Sequence, residues 1–277
     1  EQWLPGHEEK VSHSTINCYK AAFKYFEPIY YVRFSALKTA SLQQCLDNCG
    51  QGKRTRQNMK ALGTLLYKYA MQNDVVSKDY ASFLEVSGAT EAPREAFTTQ
   101  QVAQMFSQLE AVPDLRYVIV LCYTGFRLGE FLSLKVTDYH EESLPNGETI
   151  GYLIGGSKTE AGRNRAVTIS PAIAPIVAAF RNGRSDGYLF SPNGEKLQDG
   201  FFREKIYYPA LAAAGLPRYV PHCCRHTFYT LMKNTDAPLA DKMALAGHAN
   251  AKMAVHYTHA DLQSRAHITD QLSRPTG

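Results

Sequence analysis

Six side chains in the last 151 residues of this 277-residue chain have the types needed to open and close a phosphodiester: Arg127, Lys158, His222, Arg225, His248 and Tyr257. Two guanidiniums bind the nonbridging oxygens of a phosphate bidentately and offset the charge that gathers on a pentacoordinate phosphorus. Metal nucleases do the same with divalent cations held by clustered carboxylates. The sequence offers no such cluster here, so neither a metal nor another cofactor is expected. A tyrosine nucleophile leaves a covalent phosphotyrosine, which keeps the energy of the broken bond for rejoining. A lysine with its pKa lowered by neighbouring cations is a suitable acid for the departing oxygen. Five of the nine histidines fall between 222 and 259, an uneven distribution that marks a site. His222 and Arg225 stand three residues apart after Pro221, which opens a helix, and so share one face. His248 lies nine residues ahead of Tyr257.

Each residue also has a plainer reading. Arg127 could do no more than pair with Glu130, three residues on. Lys158 shares its hairpin with Arg163 and Arg165, and a turn lysine is by default solvated. His226 reads as a helix-packing residue, and Phe126, Phe228 and Leu245 as core. Among the six cysteines no C-x-x-C pair occurs. Free thiols are therefore expected rather than a zinc site, with Cys122 a buried small hydrophobe.

The elements that must position these groups are mostly helices. In the front third, Ser12 or Ser14 caps a helix carrying Tyr19, Phe23 and Phe26 that stops before Pro28. A second helix runs from about 41 to 48 and ends at Gly50. A third starts near Thr55, with Met59, Leu62, Leu66 and Tyr69 along one face, and a short fourth holds Tyr80 to Leu84. Lys53, Arg54, Arg56 and Lys60 form the densest basic cluster of this region, either a DNA contact or a solvated helix start. A Ser/Gly/Ala/Pro-containing linker follows at 87–93. The second region reopens with a Thr98–Gln101 capping box, then an apolar helix at 115–122, a break at Gly125 and a helix through Leu132. Strands at 149–154 and 164–169 form a hairpin, and helices return at 171–181, 200–214, 221–233, 238–246 and 250–259. The expected fold is mainly α with a small antiparallel β-sheet: domain 1–88, linker 89–96, domain 97–277.

Composition bounds the rest. With 44% hydrophobic and 20% charged residues the chain is an ordinary globular one and not a disordered segment. The longest uncharged apolar stretch, Tyr117 to Phe126, is too short to cross a membrane, and no basic-then-apolar leader is seen. The chain opens on Glu1, which fits removal of an upstream segment. A net charge of +4 is too modest to announce nucleic-acid binding, so local clustering carries that argument.

In combination, the segments T-G-x-R-x-x-E at 124–130, S-K-T at 157–159, H-x-x-R-H-T at 222–227, G-H at 247–248 and Y-x-H at 257–259 resemble the boxes of the tyrosine recombinase (integrase) family. The likeness is greatest to integrases of phages and conjugative transposons. It implies an all-helical core-binding domain followed by an α+β catalytic domain, closing as a C-shaped clamp on duplex DNA. It makes Arg127 and Arg225 the catalytic arginine pair, Tyr257 the nucleophile, and Lys158 the acid for the leaving 5′-oxygen. His222 and His248 would hydrogen-bond the scissile phosphate and assist proton transfer, and Glu130 would support the cations. Lys53, Arg54, Arg56 and Lys60 would contact DNA. Two places depart from the family pattern: Cys223-Cys224 between His222 and Arg225, and Ala246 before Gly247-His248. The implied partners are double-stranded DNA attachment sites, a homo-tetramer assembled on two duplexes, and an accessory excision or DNA-bending protein, with no membrane, in a bacterial cytoplasm. A tail helix at 261–272 would dock on a neighbouring protomer. The rival readings are a type IB topoisomerase, which nicks and reseals alone, and a DNA-binding protein that keeps the fold without chemistry; the intact set of six argues against the latter.

Overall fold

The computed structural model describes residues 3–87, 95–144, 147–156, 164–233, 235–237, 242, 245, 259–272 and 275. The chain divides into two compact units, Glu1–Pro93 and Arg94–Gly277.

The first unit is helical. After α1 (Trp3–Glu8), α2 (His13–Phe23) is capped by the Ser12 hydroxyl, which accepts from the Thr15 backbone N–H at 3.3 Å. The chain does not stop before Pro28. It tightens into a 3₁₀ segment, Lys24–Ile29, which carries the proline. In that short, tighter coil fewer backbone donors are needed, so a missing N–H costs less than in an α-helix. Then come α3 (Thr39–Asp47) and the long α4 (Lys53–Gln72), whose Met59, Leu62 and Tyr67 are buried with Phe26, Leu42 and Leu46. The expected short helix at 80–84 is instead a turn. Asp79 Oδ1 accepts from the backbone N–H groups of Ala81 and Ser82 at 2.8 and 3.0 Å, giving them the partners a helix would otherwise supply.

The second unit starts with α5 (Thr99–Ser107), closed by the reciprocal Thr98–Gln101 capping box. Next, α6 (Leu115–Thr124) is buried on nearly every side, consistent with its lack of a polar face. It is followed by α7 (Leu128–Phe131) and a three-stranded antiparallel sheet: β1 (Tyr139–Ser143), β2 (Thr149–Gly155) and β3 (Arg165–Thr168), in the order 1-2-3. β1 was not apparent in the sequence, because Tyr-His-Glu-Glu-Ser shows no apolar alternation; it forms an edge paired with β2 from Tyr139–Leu153 to Ser143–Thr149. Helices α8 (Ala174–Arg181), α9 (Asp199–Phe202) and α10 (Tyr208–Ala213) follow, the last two joined by a π turn over Arg203–Tyr207. α11 (His222–Lys233) packs on α6, and α12 (His259–Asp270) packs on β3.

The tail therefore covers its own sheet in this chain, where the family likeness sends it to a neighbouring protomer. Thr269 and Thr168 hydroxyls lie 3.0 Å apart, Ser170 donates to the Leu272 carbonyl at 2.9 Å, and Arg265 donates to the Ala166 carbonyl at 2.7 Å. Ala266 closes a small cluster with Leu144, Ile150 and Ala166. With α12 on one face and the main core on the other, all four residues of β3 are buried, and that includes a charged one. Strand alternation then assigns faces: Ala166 and Thr168 meet α12, while Arg165 and Val167 turn toward the core. The six cysteines are free thiols, with only Cys18 exposed. Among the described residues no helix is long and apolar enough to cross a membrane.

Candidate active site

The inward face of β3, the end of α6 and the start of α11 converge on one backbone carbonyl. Gly125 ends α6 in the left-handed conformation at φ 60°, and a Cβ at this position would collide with the Phe228 ring of α11. Glycine is required on both counts. Its carbonyl, freed from the helix ladder, accepts from Arg165 Nη2 at 3.3 Å and from Arg225 Nη1. Residues 40 and 100 positions away are thereby brought to one point.

Among the described residues, three guanidiniums and one carboxylate stand around that point. Glu130 accepts from Arg127 Nη1 at 2.8 Å and from the Arg127 backbone N–H at 3.0 Å, which closes the first turn of α7. Its second oxygen also receives Arg165 Nη1 at 3.2 Å. The Glu130 and Arg165 side chains are 2% and 3% exposed, whereas Arg127 is 26% exposed and is the member of the ion-pair network that solvent reaches. Arg165 lies over the Phe126 ring at 4.5 Å and Arg225 over the Tyr229 ring at 5.1 Å. Arg225 sits three residues into α11 and is buried.

The electrostatics follow from this count of charges. Burial by itself would raise the Glu130 carboxyl, but the charge of Arg165 and the hydrogen bonds from Arg127 outweigh it and hold the group below its ordinary value. Arg225 is pushed down to about 10, first by burial and then by the like charges of Arg165 and Arg127, which Tyr229 and Glu130 only partly oppose. Burial likewise lowers Arg165, and Glu130 offsets part of that. Among the described residues, three cations against one carboxylate leave an excess of two positive charges in a largely dry cluster, a strong attractor for a phosphate anion.

His222 opens α11, half-buried, with its ring 4.9 Å from that of His226 in an edge-on contact. It shares the first turn of the helix with Arg225, as the i, i+3 spacing requires. The Thr227 hydroxyl accepts from the Phe97 backbone N–H at 2.9 Å and so ties α11 to the segment before α5. Lys158, His248 and Tyr257 lie outside the described residues, as do the helices expected at 238–246 and 250–259 except for Lys242, Leu245 and His259. Among the described residues no group of three or more His, Cys, Asp or Glu could hold a metal ion.

The expected DNA contacts of the first unit fare differently. Lys53 and Arg54 begin α4, Arg54 exposed and Lys53 half-exposed. Arg56 instead donates to the Ser87 carbonyl at 3.2 Å, and Lys60 to the Leu84 carbonyl at 2.6 Å, so both hold the segment that leaves this unit. The residue that sequence reasoning undervalued is Arg165. It appeared only as a hairpin neighbour of Lys158, and its partner Glu130 is 35 residues away, beyond any local pattern.

A model described as the phage integrase family matches residues 95–264, a segment that contains all six proposed catalytic residues. The tyrosine recombinase XerC of Alcanivorax borkumensis is 24% identical over 242 residues, covering 83% of this chain and 76% of its own length. A putative prophage phiRv2 integrase of Mycobacterium tuberculosis is 26% identical over 223 residues, 74% of this chain and 58% of its own. Two solved structures share the fold: the Tn1549 transposon integrase in complex with transposon right end DNA, and a lambda integrase dimer bound to a COC′ core site. The first has a TM-score of 0.68 at 18% identity and covers 93% of this chain and 94% of its own. The second has a TM-score of 0.69 at 14% identity, with 93% and 98% covered. Because the family match takes in well over half of the chain, including the whole arginine cluster, the chain belongs to the phage integrase family of tyrosine recombinases, enzymes that transfer DNA strands.

Proposed function

We propose that this recombinase cleaves and rejoins duplex DNA at specific attachment sites to integrate and excise a mobile element, with Arg127, Arg225, His222, His248, Lys158 and Tyr257 as its catalytic set. The observation that carries the reading is the cation-rich cluster around the Gly125 carbonyl, which has the charge a scissile phosphate lacks. In the cleavage step the Tyr257 hydroxyl passes its proton to a histidine of the set, His222 or His248, as its oxygen attacks phosphorus; the bond to the 5′-oxygen breaks, and Lys158 gives that oxygen a proton. The product is a 3′-phosphotyrosine; attack by the 5′-hydroxyl of a second strand reverses these events and frees Tyr257. Arg127 and Arg225 bind the nonbridging oxygens, and His222 and His248 hydrogen-bond the same phosphate. No metal takes part, since the arginines supply the charge. Glu130 orients Arg127.

The helical unit serves as a DNA-binding domain, with Lys53 and Arg54 as phosphate contacts, and a tetramer on two duplexes carries the full exchange. The DNA-bound states named for the two solved relatives support a DNA partner, and a lambda integrase tetramer bound to a Holliday junction supports the assembly. An accessory excision or DNA-bending protein belongs to the same reading, as does the bacterial cytoplasm as the site of action.

The test uses a nicked suicide duplex built from the DNA flanking the gene. The wild-type chain should form an SDS-resistant adduct in excess EDTA, and Tyr257→Phe should bind the duplex without forming one. An adduct that survives the substitution would move the nucleophile elsewhere. Loss of cleavage on chelation, with rescue by magnesium, would defeat the arginine-based mechanism.

A further inference from the structure

We propose that Arg165 is a positioning residue of strand transfer: it closes a neutral inner pair with Glu130, so that Glu130 orients Arg127 without cancelling its charge. The inference rests on the reading of Arg127 and Arg225 as the phosphate clamp and assigns the role of the third guanidinium beside them.

The geometry divides the cluster into an inner and an outer layer. Arg165 and Glu130 are both nearly inaccessible and lie 3.2 Å apart, whereas Arg127 reaches solvent. Among the described residues Arg165 makes inward contacts, to the Glu130 carboxylate, the Gly125 carbonyl and the Phe126 ring. Arg165 is therefore poorly placed to touch substrate and well placed to act through its neighbours. Glu130 meets Arg127 twice, through the guanidinium and through the backbone N–H, which fixes the direction of that side chain.

Without a second cation such a carboxylate would also neutralise what it orients. A bare Arg127–Glu130 pair presents no net charge to a phosphate, and an incoming anion would compete with a buried carboxylate 2.8 Å from the guanidinium. With Arg165 behind it, Glu130 is already matched, and the charge of Arg127 stays available for the reacting phosphate. The shared Gly125 carbonyl extends the arrangement to Arg225, since both inward guanidiniums hang from the same oxygen. Strand alternation in β3 sets the direction of the charge: α12 covers the face with Ala166 and Thr168, and Arg165 turns to the opposite, buried face.

A double-mutant cycle on the full chain tests this, with single-turnover cleavage of the nicked duplex and duplex affinity measured side by side. Arg165→Gln should slow cleavage by about 10- to 100-fold while changing affinity less than about threefold, because orientation and charge matter in the transition state more than in binding. In the Glu130→Gln background the same substitution should cost less than about twofold, since no carboxylate is left to be matched. Arg165→Lys, which keeps the charge, should recover much of the loss. The cycle remains readable if Arg165→Gln alone fails to fold, because the doubly neutral variant buries no unmatched charge and is compared with Glu130→Gln. Additive losses in the cycle would overturn the proposal, placing Arg165 on the phosphate or making it a simple brace of the fold. Failure of the clamp reading looks different: Arg127→Ala and Arg225→Ala would then cleave at the wild-type rate.

Discussion

Two basic clusters among the described residues differ in almost every physical respect. In the first unit, Lys53, Arg54, Arg56 and Lys60 are packed into eight residues and remain at the surface of one helix. In the second, Arg127, Arg165 and Arg225 are spread over a hundred residues and meet around one carbonyl and one carboxylate. Density along the chain marked the first cluster in the sequence, yet two of its members are used to hold their own backbone. Convergence in space made the second cluster, and there the charges shift one another's proton affinities. A run of cations in sequence is thus weak grounds for a reactive site; cations gathered from distant elements into a dry space are much stronger.

The contrast can be broken most sharply at Arg225. Arg225→Ala should lower single-turnover cleavage by about 10²–10³-fold, the usual cost of removing one preorganised donor to a charged transition state. A loss of only a few fold, matching that of a surface lysine, would put the two clusters on the same footing.

A second effect acts through the hub that the buried cluster shares. Gly125→Ala must hold a Cβ at positive φ and against Phe228, and should destabilise the second unit by about 2–4 kcal/mol. A thermal melt should show a midpoint about 4–16 °C lower for a unit of this size. An unchanged midpoint would mean that α6 and α11 can separate at no cost and that the carbonyl is not a fixed point.

The smallest effect sharpens the comparison inside the first unit. Arg54→Ala should reduce the slope of log affinity against log salt by about one, as expected when one phosphate contact is lost. Arg56→Ala should leave that slope alone and instead cost about 0.5–1 kcal/mol of stability, since its hydrogen bonds go to Ser87. Equal salt slopes for the two variants would return Arg56 to the DNA face.

What could be read in advance follows the same division between local and distant. The Thr98–Gln101 box, the Ser12 cap, the apolar α6 and the glycine break at 125 all depend on neighbours within four residues, and they stand as read. The errors arise where a short-range alternative wins: a 3₁₀ turn that tolerates Pro28, and an Asp79 carboxylate that takes the donors of a would-be helix at 80–84. In the site, Arg127 with Glu130 and His222 with Arg225 were visible because each pair lies within one helical turn. Arg165 was not, because its meaning depends on a strand register, a covering helix and a partner 35 residues away.

The Gly125 carbonyl has a property that no side-chain acceptor shares. It has no rotamer to change and no proton to gain, so neither thermal hopping nor acid can relocate or switch it. Glu130 loses its charge once the pH falls below its depressed titration range, and its grip on Arg127 weakens with it. The spacing between Arg165 and Arg225 is set by a different kind of anchor, a backbone atom whose position is inherited from the packing of α6 against α11. Glu130 is thus an adjustable anchor and the Gly125 carbonyl one as permanent as the fold, and the permanent one joins Arg165 and Arg225.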